Sequence, residues 1–258
     1  MLEGKTLIVT GVGTGLGSEI MRAAHRDGAN LVLAARTEAT LEAAAAEVAP
    51  NGDRVAIVPT DITDEAQCVA LAKAAVDRFG GLDALAQVAA IDAHFDSLAD
   101  FNAEDVRRVM DTNFTGSLQM ARAVVAPMKA QGGGSIVLIG SQSSFMPQVS
   151  QLSYSSSKGA LRTAMMFLAK ELGPDRIRVN TVVPTWMWGP AVEGYVNGEA
   201  ERRGVAVDEV IQEITANMCI PEIPKDDDVA EAVVFLASDR ARMITGQHLM
   251  VNSGELMI

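Results

Sequence analysis

The sequence predicts an α/β chain, a doubly wound sheet of about seven parallel strands with helices on both faces. Three observations predict it. Short apolar runs recur near 5–10, 30–35, 54–59, 82–89, 134–139, 176–183 and 248–251. Helix-period stretches fill the gaps, near 16–26, 38–48, 64–79, 103–129, 153–172, 192–217 and 227–238. The strand runs are continuously apolar rather than alternating, which marks strands covered on both faces. Strand–helix repetition then forces right-handed crossovers and a helical layer on each side.

The first run, Leu7-Ile8-Val9, ends in Thr10-Gly11-Val12-Gly13-Thr14-Gly15-Leu16-Gly17, and an amphipathic stretch follows from Ser18 to Arg26. This is strand, glycine turn, helix. Glycine lets the backbone turn with positive φ and approach a ligand closely. The helix start behind it offers free N–H groups and a positive dipole end to a phosphate. Tight turns use glycine too, but a glycine-rich turn between a strand and a helix is the setting a dinucleotide site requires. The reading therefore assigns Gly11, Thr14, Gly15, Leu16 and Gly17 to cofactor phosphates.

Later elements end in polar residues at the same edge. Arg36 follows the second strand, Asp61 the third, Ser141 the fifth and 184–190 the sixth. In such folds the ligand lies beyond the carboxyl ends of the strands. The segment 186–224 breaks the rhythm. It opens with Trp186-Met187-Trp188-Gly189-Pro190 and closes with Pro221 and Pro224, and is read as a substrate lid.

Composition bounds the rest. A chain of 258 residues with no Pro/Ser-rich linker, charge block or internal repeat reads as one domain, 1–258. Hydrophobic residues make up 48%, enough for a large core, and aromatics only 4%, so that core is aliphatic. The net charge of -12 argues against nucleic acid and against an anionic membrane surface. No apolar run approaches the ~18 residues of a membrane span, and no leader pattern precedes the first strand. Cys68 and Cys219 form no paired motif, and His25, His94 and His248 are scattered. No metal site and no disulfide framework is expected, and the location expected is cytoplasmic.

The helical stretch beginning at 153 carries Tyr154 and Lys158, four residues apart. On a helix such positions share a face. A phenol ionises near pH ~10 and is a poor base at neutrality. A cation within ~4–6 Å favours the phenolate, and a phenol so tuned is a general acid/base. Taken alone, the pair also reads as an exposed helical couple.

With the glycine turn at one end and Tyr-x-x-x-Lys in the second half, the chain resembles the short-chain dehydrogenase/reductase family, single-domain branch, over essentially its whole length. The family's Thr-Gly-x-x-x-Gly-x-Gly appears as Thr10 to Gly17 and its Tyr-x-x-x-Lys as Tyr154 and Lys158. Its serine, thirteen residues before the tyrosine, is Ser141. Its helix asparagine is Asn113 in Asn113-Phe114-Thr115-Gly116, its adenine-side aspartate Asp61 in Thr60-Asp61-Ile62, and its near-terminal motif Thr245-Gly246-Gln247. The resemblance implies a Rossmann-like fold and a nicotinamide cofactor touching Asp61, Ile62, Ala89, Tyr154, Lys158 and Pro184. It implies a catalytic set of Asn113, Ser141, Tyr154 and Lys158. Tyr154 exchanges the proton, Lys158 also holds the nicotinamide ribose, Ser141 holds the substrate oxygen, and Asn113 joins a water-linked proton path. Read from its residue type alone, Asn113 is equally a buried amide satisfying a carbonyl, and Ser141 a turn cap. The chain departs from the family in three places. Asn-Asn-Ala-Gly after the fourth strand reads Gln87-Val88-Ala89-Ala90, Pro-Gly after the sixth reads Pro184-Thr185, and a threonine four residues past that proline is replaced by Trp188.

Cofactor choice turns on Leu33-Ala34-Ala35-Arg36-Thr37. NAD enzymes place an acid there for the ribose 2′-hydroxyl, whereas this chain has Ala35 followed by Arg36. A guanidinium suits a 2′-phosphate, and Thr37 adds a hydroxyl. NADP(H) is the preferred reading and NAD(H) the alternative, with Arg36 stacked on adenine. Phe145, Met146, Trp186, Met187 and Trp188 flank the expected pocket. They are read as an apolar wall for a lipophilic secondary alcohol/ketone pair, Phe145, Trp186 and Trp188 with Ser141 being the substrate residues. The two tryptophans read equally well as a staple for the lid. The function expected is a carbonyl reductase or alcohol dehydrogenase. The alternatives are an NAD-dependent dehydrogenase of the same fold, a non-catalytic dinucleotide-binding protein, and an epimerase or dehydratase with tightly held NAD. The family pairs its long helices, so a homo-oligomer, dimer or tetramer, is implied. A small-molecule substrate is the other partner.

Overall fold

The computed structural model describes residues 1–91, 97–147 and 149–258. His94 lies outside the described residues. Seven parallel strands form one sheet: β1 (Thr6–Thr10), β2 (Asn30–Ala35), β3 (Val55–Pro59), β4 (Ala84–Gln87), β5 (Gly134–Ile139), β6 (Ile177–Pro184) and β7 (His248–Val251). Their order is β3-β2-β1-β4-β5-β6-β7. Only the fourth is much shorter than its apolar run, because the chain leaves the ladder at Gln87 to contact the glycine turn.

Alternate strand residues face two separate cores, as a period of two demands. Leu7, Val9, Leu31, Leu33, Val137 and Val182 pack into one with the helices α1 (Leu16–Arg26), α2 (Glu38–Val48) and α9 (Asp226–Ala237). Ile8, Val32, Leu85, Ile136, Leu138 and Val179 pack into the other with α3 (Glu65–Phe79), α5 (Ser117–Ala130) and α6 (Leu152–Leu172). Both sheet faces are thus covered, which explains why the strands read as unbroken apolar runs.

Two expected helices are each divided. The stretch 103–129 forms α4 (Ala103–Met110) and α5, joined by a π-helical turn over Asp111–Gly116. Gly116 packs on Ile62, where a Cβ would come within 3.0 Å of the Ile62 side chain. The wider turn carries one extra residue per revolution, and it buries Asn113 to 1% exposure. The stretch 192–217 forms α7 (Pro190–Arg203) and α8 (Val207–Thr215), separated at Gly204, whose φ of +67° ends the first helix.

The Thr245-Gly246-Gln247 motif ties β6 to the entry of β7. Val179 N–H donates to the Thr245 hydroxyl at 3.1 Å, and Gln247 N–H to the Asn180 side-chain oxygen at 3.0 Å. The 186–224 segment has a small core of its own, Val196, Ala200 and Val210 with Trp188 and Ile211. Its two ends meet where Trp188 N–H donates to the Pro224 carbonyl at 2.7 Å.

Candidate active site

A cleft of about 820 Å³ opens at the carboxyl ends of β1 to β4. Its lining includes Gly11, Thr14, Gly15, Leu16, Gly17, Arg36, Thr37, Asp61, Ile62 and Ala89. Pro184, Tyr154 and Lys158 do not line it. The glycine turn supports a ligand at this place. Gly11 has φ of +71°, and a Cβ there would stand 2.6 Å from the Ala89 nitrogen. A Cβ on Gly17 would collide with the Gly11 carbonyl, whereas one on Gly13 would meet nothing within 4 Å. Gly15 caps α1 without a side-chain acceptor, so the first N–H groups of that helix face the turn. The cleft volume lies in the upper range of small-molecule sites, ~300–1,000 Å³. A dinucleotide fits these features.

The Gln87-Val88-Ala89-Ala90 departure is resolved by the glutamine itself. The Thr10 hydroxyl donates to the Gln87 side-chain oxygen at 2.9 Å and accepts from the Val88 and Ala89 N–H groups at 3.0 and 3.2 Å. The Gln87 amide donates to the Ala89 carbonyl at 3.2 Å. Gln87 is 2% exposed, and it holds the post-β4 strand end against the glycine turn.

At the far end of the cleft, Arg36 stands near Asp61. The Thr63 hydroxyl and N–H bond the Asp61 carboxylate at 2.7 and 2.9 Å, and these bonds, with Arg36 beside them, hold its pKa below the usual range. Arg107 and Arg108 of α4 and Thr40 of α2 also line the cleft, together with Glu104 and Asp111. Sequence reading missed them, since exposed arginines on a polar helix face carry no local signal.

Tyr154 and Lys158 meet on α6, with the Lys158 Nζ 5.6 Å from the Tyr154 ring centroid. Lys158 is 3% exposed and donates to the Ile139 carbonyl at 2.8 Å. That carbonyl ends β5, two residues before Ser141, so the ammonium links α6 to the serine strand. Ser141 begins a short 3₁₀ turn (Gln142–Ser144). Its hydroxyl accepts from Ser143 N–H at 3.2 Å and pairs with the Ser143 hydroxyl at 2.9 Å.

Asn113 joins the group through one intermediary. Its side chain accepts from Ile91 N–H at 2.8 Å and donates to the Ile91 carbonyl at 2.9 Å. It also donates to the Ser157 hydroxyl at 3.1 Å, and Ser157 donates to the Tyr154 carbonyl at 2.7 Å. Ser157 was missed in the sequence, where it is one of three consecutive serines. Its helical offset from Tyr154 is the signal that was available.

The apolar residues are occupied differently from one another. Phe145 lies 4.3 Å beneath the Arg162 guanidinium and edge-on to His248 at 5.5 Å. Burial and the Arg162 charge depress the pKa of His248. Trp186 stacks at 5.3 Å on Tyr195 of α7. Trp188 sits in the small core of the 186–224 segment. A second cavity, about 470 Å³, lies beside Ser143 and Ser144 and is lined by Leu98, Val149 and Leu152, with neither Tyr154 nor either tryptophan in its wall.

Fold, glycine turn and the paired Tyr154 and Lys158 together define a dinucleotide-linked oxidoreductase architecture. A family model described as Enoyl-(Acyl carrier protein) reductase matches residues 11–255. An L-rhamnose 1-dehydrogenase (NAD(P)(+)) of Azotobacter vinelandii is 32% identical, with 98% of this chain and 97% of the relative aligned. A 3-alpha-(or 20-beta)-hydroxysteroid dehydrogenase of Mycobacterium bovis is 32% identical over 98% of this chain and 90% of its own. A solved short-chain type dehydrogenase/reductase from Mycobacterium ulcerans superposes with a TM-score of 0.89 at 26% identity, covering 98% of this chain and 90% of that one. The chain belongs to the short-chain dehydrogenase/reductase family of oxidoreductases, and membership implies a nicotinamide cofactor, NAD or NADP. Among the described residues no helix is long and apolar enough to cross a membrane.

Proposed function

We propose that this chain is an NADP(H)-preferring carbonyl reductase or alcohol dehydrogenase acting on a lipophilic secondary alcohol/ketone pair, with Tyr154 as general acid/base. The observation that carries the reading is the Lys158 ammonium 5.6 Å from the Tyr154 ring centroid, on a lysine 3% exposed. A buried cation favours a neighbouring anion more strongly than an exposed one does. The nicotinamide, when bound, supplies or accepts the hydride. The chain's own residues do the remainder. The glycine turn and the start of α1 hold the diphosphate. The Ser141 hydroxyl positions the substrate oxygen. The Tyr154 hydroxyl gives that oxygen its proton in reduction and takes it back in oxidation. Lys158 keeps positive charge beside the phenol. Asn113, through Ser157 and Ile91, fixes the first turn of α6 against the post-β4 strand end.

Arg36 supports the NADP(H) preference. No acid stands at Ala35 to greet a ribose hydroxyl. The name of the steroid-active relative supports a lipophilic substrate, while the Trp186–Tyr195 contact supports the reading of the tryptophans as a staple for the lid. The rhamnose-active relative points instead to a polar sugar, so the substrate panel must hold both classes. We read residues 1–258 as one domain, the 186–224 segment as a substrate lid, the location as cytoplasmic, and the assembly as a homo-oligomer. Exposed Leu152, Met166 and Phe167 on α6 offer a surface for the last, and light scattering at the mass of one chain would reject it.

The test is consumption of NADPH and NADH against steroid and cyclic ketones and against sugar lactones and aldoses, run in both directions, for wild type and Tyr154→Phe. Turnover of lipophilic ketones with NADPH, lost in Tyr154→Phe, is the expected result. Turnover confined to sugars, or a tenfold preference for NADH, would overturn the corresponding part.

A further inference from the structure

The C-terminal segment reaches back into the catalytic end of the sheet, through a residue that the proposed chemistry does not use. Glu255 presents one carboxylate oxygen, Oε2, to two donors. The Gln142 amide donates to it at 2.8 Å, and the Thr185 hydroxyl donates to the same oxygen. Gln142 directly follows Ser141, and Thr185 directly follows Pro184. The other end of the Gln142 side chain is held as well, because its oxygen accepts from the Asn252 amide at 2.7 Å. Asn252 donates further to the Leu256 carbonyl at 2.8 Å and accepts from Gly254 N–H at 3.2 Å. Gln142 is 4% exposed and Asn252 5%.

These bonds tie together the loops that leave β5, β6 and β7. The tie lies one residue from the serine that is to hold the substrate oxygen. It lies one residue from the proline that the family places against the nicotinamide. Buried polar groups that lose a partner incur a full desolvation cost, so the arrangement is stiff. Stiffness here bears on rate, since a misplacement of ~1 Å between reacting groups costs on the order of 10²-fold.

We infer that Glu255 is a positioning residue for the reaction, setting the separation between the Ser141 hydroxyl and the Pro184–Thr185 backbone. The inference rests on the proposed oxidoreductase reading. The carboxylate acts as a shared acceptor rather than as a charge. Glutamine at this position keeps one oxygen able to accept both bonds, and alanine keeps none.

Four variants of the full chain test it, Glu255→Ala, Glu255→Gln, Thr185→Val and Tyr154→Phe, each measured for kcat, KM, NADPH dissociation constant by fluorescence, and Tm. Glu255→Ala is expected to lower kcat by about tenfold or more, with the NADPH dissociation constant within about threefold of wild type. Glu255→Gln is expected to recover most of that kcat. Thr185→Val, which conserves volume and loses one of the two donors, should fall between them. It also carries the test if Glu255→Ala does not fold. A merely structural residue would lower Tm without this split between turnover and cofactor binding. A kcat for Glu255→Ala within twofold of wild type would overturn the inference, as would a Glu255→Gln variant as impaired as Glu255→Ala. Retained turnover in Tyr154→Phe would instead overturn the underlying reading, so the two failures are separable.

Discussion

The two ends of the ligand-binding edge are built by different means. At the β1–β3 end the cleft is made of backbone: glycines without side chains, a helix start without a cap, and the close approach of Gly11 to Ala89. At the β5–β7 end the site is made of side chains that reach across the fold, Lys158 to Ile139 and Glu255 to Gln142. A backbone cradle is broken by adding atoms, and a side-chain lattice by removing them. Tyr154 and Lys158 stand outside the wall of the large cleft, although the family resemblance gives both a contact with the cofactor.

The largest expected effect tests whether the two ends act separately. Tyr154→Phe should lower kcat by about 10²–10⁴-fold, the usual worth of a positioned acid/base, while stopped-flow or fluorescence titration shows NADPH affinity little changed. A matching loss of affinity would merge the two ends into one site. Next come the glycines. Gly11→Ala forces both a left-handed residue and a collision with Ala89, and should destabilise the fold by about 2–4 kcal/mol. Gly13→Ala, with open space around it, should leave the denaturation midpoint nearly unmoved. Equal effects of the two would show that the cradle is not a steric device.

Arg36→Ala should act only at the binding end. Loss of a charge-assisted hydrogen bond, about 1.5–3 kcal/mol, predicts a fall of roughly 10–100-fold in kcat/KM with NADPH, and little change with NADH. The smallest effect concerns Asp226, at the start of α9. Its carboxylate stands against both the Gly15 and the Gly189 backbone, where burial first, then Glu19 and Asp227, raise its pKa. A raised carboxyl pKa favours the fold below the ordinary aspartate range, and that contribution is lost as pH rises through the folded-state value. Asp226→Asn should therefore raise Tm at pH 7, and the gain should vanish near pH 3. A Tm increment that stays constant with pH would assign the effect to packing.

Much of the binding end was legible because its signals are local. Glycine spacing, the residue after β2 and the acid after β3 each lie within a few positions of a strand end. The Tyr154–Lys158 pair was legible for the same reason, through one turn of helix. What escaped depends on partners distant along the chain. Nothing near Glu255 announces Gln142, 113 residues away, and nothing near Gln87 announces Thr10, 77 residues away. The π-helical turn within 103–129 escaped because the backbone stays helical on both sides of it, at Met110 and Ser117, so no breaker marks it. Phe145 and Trp188 were read as flanking the pocket, and the tryptophans equally as a staple for the lid. The structure gives Phe145 a cation above and an imidazole beside it, and gives Trp188 a seat among Val196, Ala200 and Val210.

The bond from Trp188 N–H to the Pro224 carbonyl brings departure and return of the 186–224 excursion to a single point. The excursion is also anchored from below, where Ile220 N–H donates to the Ser253 carbonyl at 3.0 Å and the Ser253 hydroxyl donates to the Glu222 carbonyl at 2.7 Å. Closing such a loop costs only about 0.6 kcal/mol more for each doubling of its length. Residues between the neck and that anchor can therefore be lengthened at small entropic cost while the strands beneath keep their register, an expectation that an insertion at Gly204 with an unchanged Tm would bear out.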